Sequence, residues 1–160
     1  MSTVSGSRPP TPRRRRVSYG VLPELIGYNM RRAQVAIFLD FARSLDGLDV
    51  TPGQFGVLTI IESNSGLNQS ELGEAMGVDR STVVAVIDRL EGRKLVARHP
   101  APNDRRSYAL ELTDEGRALL ERVRPLVAAH EERLAAGLSE TERGTLIALL
   151  RRVIANLGPL

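Results

Sequence analysis

A mainly α (α+β) fold, in which a helix-turn-helix and a two-stranded wing are framed by long helices, follows from three observations. Two short capped helices flank a glycine turn between Asn68 and Leu90. Directly after them the hydrophobic period changes from helical to alternating, over Leu95–His99 and Tyr108–Leu112. On both sides of this block, apolar residues recur every three or four positions over several turns.

Residues 1–18 form a basic arm. Its first sixteen positions are mostly Ser, Thr, Gly, Pro and Arg, Pro9, Pro10 and Pro12 oppose a helix, and little is apolar enough to bury, so disorder is expected. Arg13 to Arg16 read either as a solvated tail or as an arm that reaches DNA phosphates or a minor groove with a salt-dependent contribution. The spacing of Leu22, Ile26, Met30, Ala33, Ile37, Phe41 and Leu45 predicts one long helix from Val21 to Leu45. Thr51-Pro52-Gly53-Gln54 then supplies an N-cap, a proline at the first helical position and a capping-box glutamine. The second helix runs to about Glu62 with Phe55, Leu58 and Ile61 inward.

Asn68 with Glu71 opens a short third helix whose inner face is Leu72, Ala75 and Met76, and Gly77 ends it. Asp79 caps a fourth, with Val83, Val86, Ile87 and Leu90 on one face and Arg80, Ser81, Ala85, Asp88 and Arg89 on the other. Two short helices about a glycine turn make a helix-turn-helix. The strands Leu95–His99 and Tyr108–Leu112, with Leu110 and Leu112 inward and Ala109 and Glu111 outward, enclose a polar tip from Pro100 to Ser107 and complete a winged helix. Thr113, Asp114 and Glu115 open a fifth helix, bent at Pro125. Ser139 to Glu142 is a capping box for a sixth, whose Leu146, Leu150, Val153 and Leu157 form a seam that another helix fills.

The apolar stripes of the first and last helices exceed what a small winged-helix core covers, and left exposed they would be adhesive. A symmetric homodimer is the economical solution. The expected organisation is a winged helix-turn-helix DNA-binding domain at 51–113 with dimerisation helices at 19–50 and 114–160. Two recognition helices one DNA turn apart, roughly 34 Å, would read a pseudo-palindrome.

Composition narrows the function. The chain has 160 residues, is 42% hydrophobic and 26% charged, and no uncharged apolar run is longer than that of Val83 to Ile87, which neither spans a bilayer nor follows the N-terminal arginines as a signal peptide would. A cytoplasmic protein without membrane partners is expected. The absence of cysteine excludes disulfides, thiol sensing and cysteine-ligated metals, and His99 and His130 lie in separate segments, so neither a metal site nor a cofactor is expected. His130, on the apolar face of the fifth helix, reads as a satisfied core histidine. Five arginines sit in the acid-free arm, which leaves 17 basic against 19 acidic residues from position 17 onward. Within that part, Asp79–Arg106 concentrates seven basic residues against four acids. No Ser/His/Asp arrangement or phosphate-binding glycine loop is present, so no catalytic residue is assigned and an enzyme is not expected.

Asn68-Gln69-Ser70-Glu71-Leu72, Gly77-Val78-Asp79-Arg80-Ser81-Thr82-Val83, Asp88-Arg89-Leu90-Glu91, Leu95-Val96, Asn103-Asp104-Arg105-Arg106-Ser107 and Leu112-Thr113-Asp114-Glu115-Gly116 occur in an order and at separations that closely resemble the MarR family of bacterial transcriptional regulators. The resemblance covers about Leu22 to Leu157. One departure is visible: Lys94 stands where the family's Leu-Glu-x-x-Gly-Leu-Val pattern has its glycine, a costly substitution if the position is left-handed.

The resemblance implies that the start of the fourth helix enters the major groove of a double-stranded operator and that the wing tip approaches the minor groove. Arg80, Ser81 and Thr82 become base-edge or groove-wall candidates and Arg89 a phosphate candidate. Ser81 and Thr82 also suit a helix start for its own sake. Arg105 and Arg106 are the wing candidates, with Asp104 holding an arginine by an ion pair. Asn68, Gln69 and Ser70 begin the third helix, where the dipole end suits a phosphate and simple capping is the competing reading.

The resemblance also implies release from DNA by a small anionic, often aromatic, effector bound between the dimerisation helices and the winged helix. Tyr28, Phe38, Phe41 and Phe55 lie near that junction, with Arg31 and Arg32 as carboxylate partners; aromatics at helical spacing also read as core and the arginines as surface charges. Residues Ile26 to Gln34 are similar to members that sense aromatic acids or their acyl-CoA thioesters. The rival reading is a winged helix used for protein–protein contacts or non-specific DNA architecture, which Arg80, Ser81 and Arg89 on the outer helix face oppose.

Overall fold

The computed structural model describes residues 17–101 and 104–158. Two compact units divide it, one ending at Gln34 and the other spanning Val35–Leu160. In the first, a 3-10 turn at Leu22–Glu24 precedes the start of α1 (Ile26–Ser44), which continues into the second, and Leu25 between turn and helix is extended. The single helix expected from Val21 is therefore interrupted. Asn29 gives the physical reason: its carboxamide donates to the carbonyls of Pro23 at 2.8 Å and Leu25 at 2.9 Å, a local pairing that competes with helix continuation.

The second unit continues with α2 (Pro52–Ser63), α3 (Gln69–Met76), α4 (Arg80–Gly92), β1 (Val96–Ala101), β2 (Asp104–Leu112), α5 (Asp114–Leu134) and α6 (Glu140–Leu157). Every expected cap forms. Thr51 and Gln54, Asn68 and Glu71, and Ser139 and Glu142 close reciprocal capping boxes, while Asp79 and Thr113 cap α4 and α5. Gly77 takes the left-handed conformation at φ 62° that ends α3, which leaves only Val78 before the next cap.

Leu58, Leu72, Ile87, Leu90, Leu110, Leu120 and Val123 are almost solvent-free and join α2, α3, α4, β2 and α5 into one core. Two sequence expectations are corrected around it. On α3 the inward face carries Leu72 and Gly73, whereas Ala75 is exposed. A Cβ at Gly73 would sit 3.2 Å from the Val78 carbonyl oxygen and 3.3 Å from the Val83 side chain, so the close approach of α3 and α4 is made through the glycine. On β2, Ala109 is buried at 5% exposure rather than outward. The segment before α3 reaches this strand, with Asn68 bridging Ala109 and the Leu110 N–H donating to the Leu67 carbonyl at 2.8 Å.

The wing strands are also longer than expected. They pair antiparallel from Val96 opposite Leu112 to Pro100 opposite Tyr108, then shift register before Ala101 opposite Asp104. Pro100 fits this two-stranded ribbon because an edge strand tolerates a residue without an N–H.

The joint between α4, β1 and α5 explains two motif positions. Lys94 has φ 58°, the left-handed conformation, at a cost of about 1–2 kcal/mol for a side-chain-bearing residue. That turn presents the Lys94 carbonyl to the Thr113 hydroxyl at 2.6 Å and the Leu95 carbonyl to the Thr113 N–H at 3.2 Å. α5 then packs so closely that a Cβ at Gly116 would lie 2.1 Å from the Leu95 carbonyl oxygen.

α1 buries only Phe41 within the chain, and α6 buries nothing. No helix among the described residues is long and apolar enough to cross a membrane.

Candidate nucleic-acid interface

α4 divides cleanly into two faces. Val83, Ile87 and Leu90 are buried at 3%, 0% and 0% exposure, while Arg80, Ser81, Thr82, Ala85, Asp88 and Arg89 are exposed. Thr82, Ala85, Val86 and Arg89 line an open cleft of about 390 Å³ with Thr51, Gly53 and Gln54 from the start of α2. Arg80 borders a smaller notch of about 190 Å³ with Gln69, Ser70, Gly73, Glu74 and Val78. The sequence-predicted residues of the α3 and α4 starts are thus brought side by side.

Within that surface the short polar groups are already engaged. Asp79 accepts from the Thr82 N–H at 3.0 Å, from the Thr82 hydroxyl at 2.7 Å and from the Ser81 hydroxyl. These donors, the Ser81 hydroxyl foremost and then that of Thr82, hold the Asp79 carboxyl well below the usual carboxylate range. Asn68 Oδ1 accepts from the N–H groups of Ser70 at 2.8 Å and Glu71 at 3.0 Å, so the cap uses most of the amide donors at the start of α3. The Gln69 carboxamide lies against Arg98, and the orientation that matches donor to acceptor puts its oxygen there, accepting from Nη2 at 2.9 Å and Nε at 3.1 Å.

The local basic excess separates into two groups. Arg93 donates to the carbonyls of Asp49 at 2.6 Å and Leu48 at 3.3 Å, tying the end of α4 to the α1–α2 connection. Arg98, on β1, pairs with Asp88 at 2.5 Å and with Glu91. Arg80, Arg89 and Lys94 are exposed. Sequence reasoning grouped all of these as one basic cluster and did not single out Arg98; the spacing of Asp88 and Glu91 on one helix face was the signal available.

Asp104, Arg105 and Arg106 stand at the start of β2, and their side chains, with the expected ion pair, lie outside the described residues. The arginine arm lies outside them as well.

The effector candidates are distributed between the two units. In the first, the Arg32 guanidinium sits 5.8 Å from the Tyr28 ring centroid, Tyr28 packs at 6.4 Å against Tyr19, and Arg31 faces Gln34. In the second, Phe38 is 48% exposed, Phe55 is partly buried against the core, and Phe41 is buried edge-on to His130 with ring centroids 5.3 Å apart. His130 is itself buried, and its Nδ1 is 2.7 Å from Asp40 Oδ2, a carboxyl also held by Arg133 at 2.9 Å. His130 first and Arg133 second depress the Asp40 pKa. Among the described residues no group of three or more His, Cys, Asp or Glu side chains is placed to hold a metal.

Known proteins resemble this chain in sequence and fold. The sequence pattern of the MarR family matches residues 50–108. A protein of Thauera aromatica named for transcriptional regulation of the hcr operon is 43% identical over 136 residues, covering 84% of this chain and 82% of that one. The fold matches the transcriptional repressor CouR bound to a 23-mer DNA duplex, with a TM-score of 0.82, 42% identity, and 88% and 99% of the two chains covered. CouR bound to p-coumaroyl-CoA matches with a TM-score of 0.80, 40% identity, and 87% and 98% covered.

Proposed function

The chain belongs to the MarR family of transcriptional regulators, and on that premise we propose that it is a homodimeric, sequence-specific DNA-binding repressor that leaves a pseudo-palindromic operator when a small anionic effector binds. One observation carries the reading: α4 is sealed into the core along one face and presents Arg80, Ser81, Thr82 and Arg89 along the other. A guanidinium at position 80 suits bidentate pairing with guanine O6 and N7, and one at position 89 suits a phosphate. Arg105 and Arg106 at the wing and Asn68, Gln69 and Ser70 at α3 complete the proposed DNA contacts, with Asp104 steadying the wing. The uncovered stripe of α6 supports the homodimer. A regulator of this kind works in the cytoplasm and needs no cofactor.

The effector assigned by this reading is an aromatic acid or its acyl-CoA thioester. Its support is the CouR complex with p-coumaroyl-CoA, together with the Tyr28, Arg31, Arg32, Phe38, Phe41 and Phe55 set. Such a ligand acts by preferring the arrangement of the two winged helices that does not fit DNA, so operator DNA weakens the ligand by the same factor.

Fluorescence anisotropy of the protein against the intergenic DNA upstream of its own gene and against a scrambled duplex tests the reading. Preference for one site by about a thousandfold or more is the expected outcome. Arg80→Ala should weaken operator binding by about 1–3 kcal/mol and relax one base position, whereas Arg89→Ala should weaken both duplexes alike and lower the salt slope. Equal loss on both duplexes for Arg80→Ala would overturn its base-reading role. Titrating aromatic acids and their thioesters into the complex then tests release.

A further inference from the structure

We propose that Arg98 is a positioning residue for operator discrimination, a role that rests on the DNA-binding reading above and extends it to a residue of the wing base. Arg98 lies on β1 opposite Leu110, with its side chain only 20% exposed. From there one guanidinium reaches both helices of the helix-turn-helix. It pairs with Asp88 and Glu91, a turn apart on α4, and with the amide oxygen of Gln69 in the first turn of α3.

Guanidinium chemistry suits this junction. Its planar donors point in fixed directions, so Nη1 meets Glu91, Nη2 meets Asp88, and the Nη2–Nε edge meets Gln69 without a change of rotamer. An ammonium is a point charge on a flexible stem and holds fewer partners in fixed directions. The three elements that Arg98 joins are those whose mutual placement sets how α4 enters a groove: α3 beneath it, α4 itself and the wing strand beside it. Ile87 and Leu90 bury the inner face of α4, and polar ties on another side add directional restraints that non-directional apolar packing does not supply.

A second consequence is electrostatic. Asp88 adjoins Arg89, and both are exposed near the face proposed to meet phosphates. Two unpaired carboxylates there would repel the nucleic acid. Sharing one guanidinium between both carboxylates cancels half of that negative charge and leaves Arg89 and Lys94 facing a weaker repulsion at this end of α4. Arg98 thus acts on DNA through Asp88, Glu91 and Gln69.

The experiment separates positioning from charge. Wild-type protein first selects a duplex from a randomised pool, and binding to that duplex and to a scrambled one is then measured for Arg98→Lys and for the triple variant Arg98→Gln, Asp88→Asn, Glu91→Gln, each checked by thermal unfolding. Arg98→Lys keeps the charge and loses the fork. It should weaken the selected duplex at least roughly tenfold, as expected for loss of charge-assisted hydrogen bonds, and leave the scrambled duplex within about threefold. The triple variant removes the carboxylate repulsion and should show the same selective loss. Wild-type discrimination in either variant, or equal loss on both duplexes with folding intact, would overturn the positioning role. Failure of the wild-type protein to enrich any sequence would instead remove the DNA-binding reading, and the role of Arg98 with it.

Discussion

α4 and α6 are both amphipathic helices with arginines among their polar residues, and they end in opposite environments. α4 places Val83, Ile87 and Leu90 out of contact with solvent, whereas α6 leaves Leu146, Leu150 and Leu157 at 47%, 37% and 81% exposure. Period and composition do not distinguish them. What differs is the presence of a partner within the chain: α4 has α3, the wing and the shared core, while among the described residues the polar tie that joins α6 to α5 is one contact between Arg143 and Glu131 at 3.8 Å. The winged helix is therefore complete in one chain, and α6 carries a surface that the proposed second copy completes.

Core truncation tests this contrast most strongly. Leu90→Ala should destabilise the fold by about 2–5 kcal/mol, because it opens a cavity in a packed interior. Leu150→Ala should act chiefly through association, so its unfolding midpoint should depend on protein concentration more steeply than that of Leu90→Ala. Urea unfolding at two concentrations checks both. Equal, concentration-independent losses would show that α6 is buried by its own chain.

A smaller effect is expected at the joint between α5 and the wing base. Gly116→Ala forces a methyl against the Leu95 carbonyl and should cost about 1–3 kcal/mol by overpacking, read as a lowered Tm. Glycine-to-alanine exchange at Gly144 in α6, where a Cβ meets nothing within 4 Å, should leave Tm the same or higher. A neutral result at Gly116 would mean that α5 moves freely against the wing.

The smallest effect is a matter of pH. Because its hydrogen-bond donors depress the folded-state pKa of Asp79, the stability from this cap is fully present above the ordinary carboxylate value of 3.8 and is lost as the pH falls below it. The difference in Tm between wild type and Asp79→Asn should therefore shrink on moving from neutral pH into that acid range. A constant difference would show that the cap contributes through shape rather than charge. Asp40 follows the same sign, so the pairing of α1 with α5 should loosen over the same acid range.

Much of the site is legible in the chain because its information is local. Thr51 with Gln54, Asn68 with Glu71, and Asp79 before Arg80 are contacts across two or three residues, and a cap is readable wherever its donor and acceptor are neighbours in sequence. The α4 faces follow from the helical period for the same reason. Arg98 was illegible because its partners lie 7, 10 and 29 positions away on two other elements. The inward turn of Ala109 depended on a bridge to Asn68, and the break in the first helix on the Asn29 side chain, neither of which a periodic pattern encodes.

By itself, then, the sequence determined the order of helices and strands, the caps that start them, the family resemblance and the outward face of α4, all set by spacings shorter than about two helical turns. Tertiary structure alone decided that Gly73 and Gly116 are close-contact points, that Arg93 and Arg98 bind inward while Arg80 and Arg89 face out, and that His130 meets Asp40. The reason is physical. A guanidinium or a Cβ-free surface has no preferred partner until packing brings a carboxylate or a carbonyl within reach, and that proximity belongs to the fold as a whole.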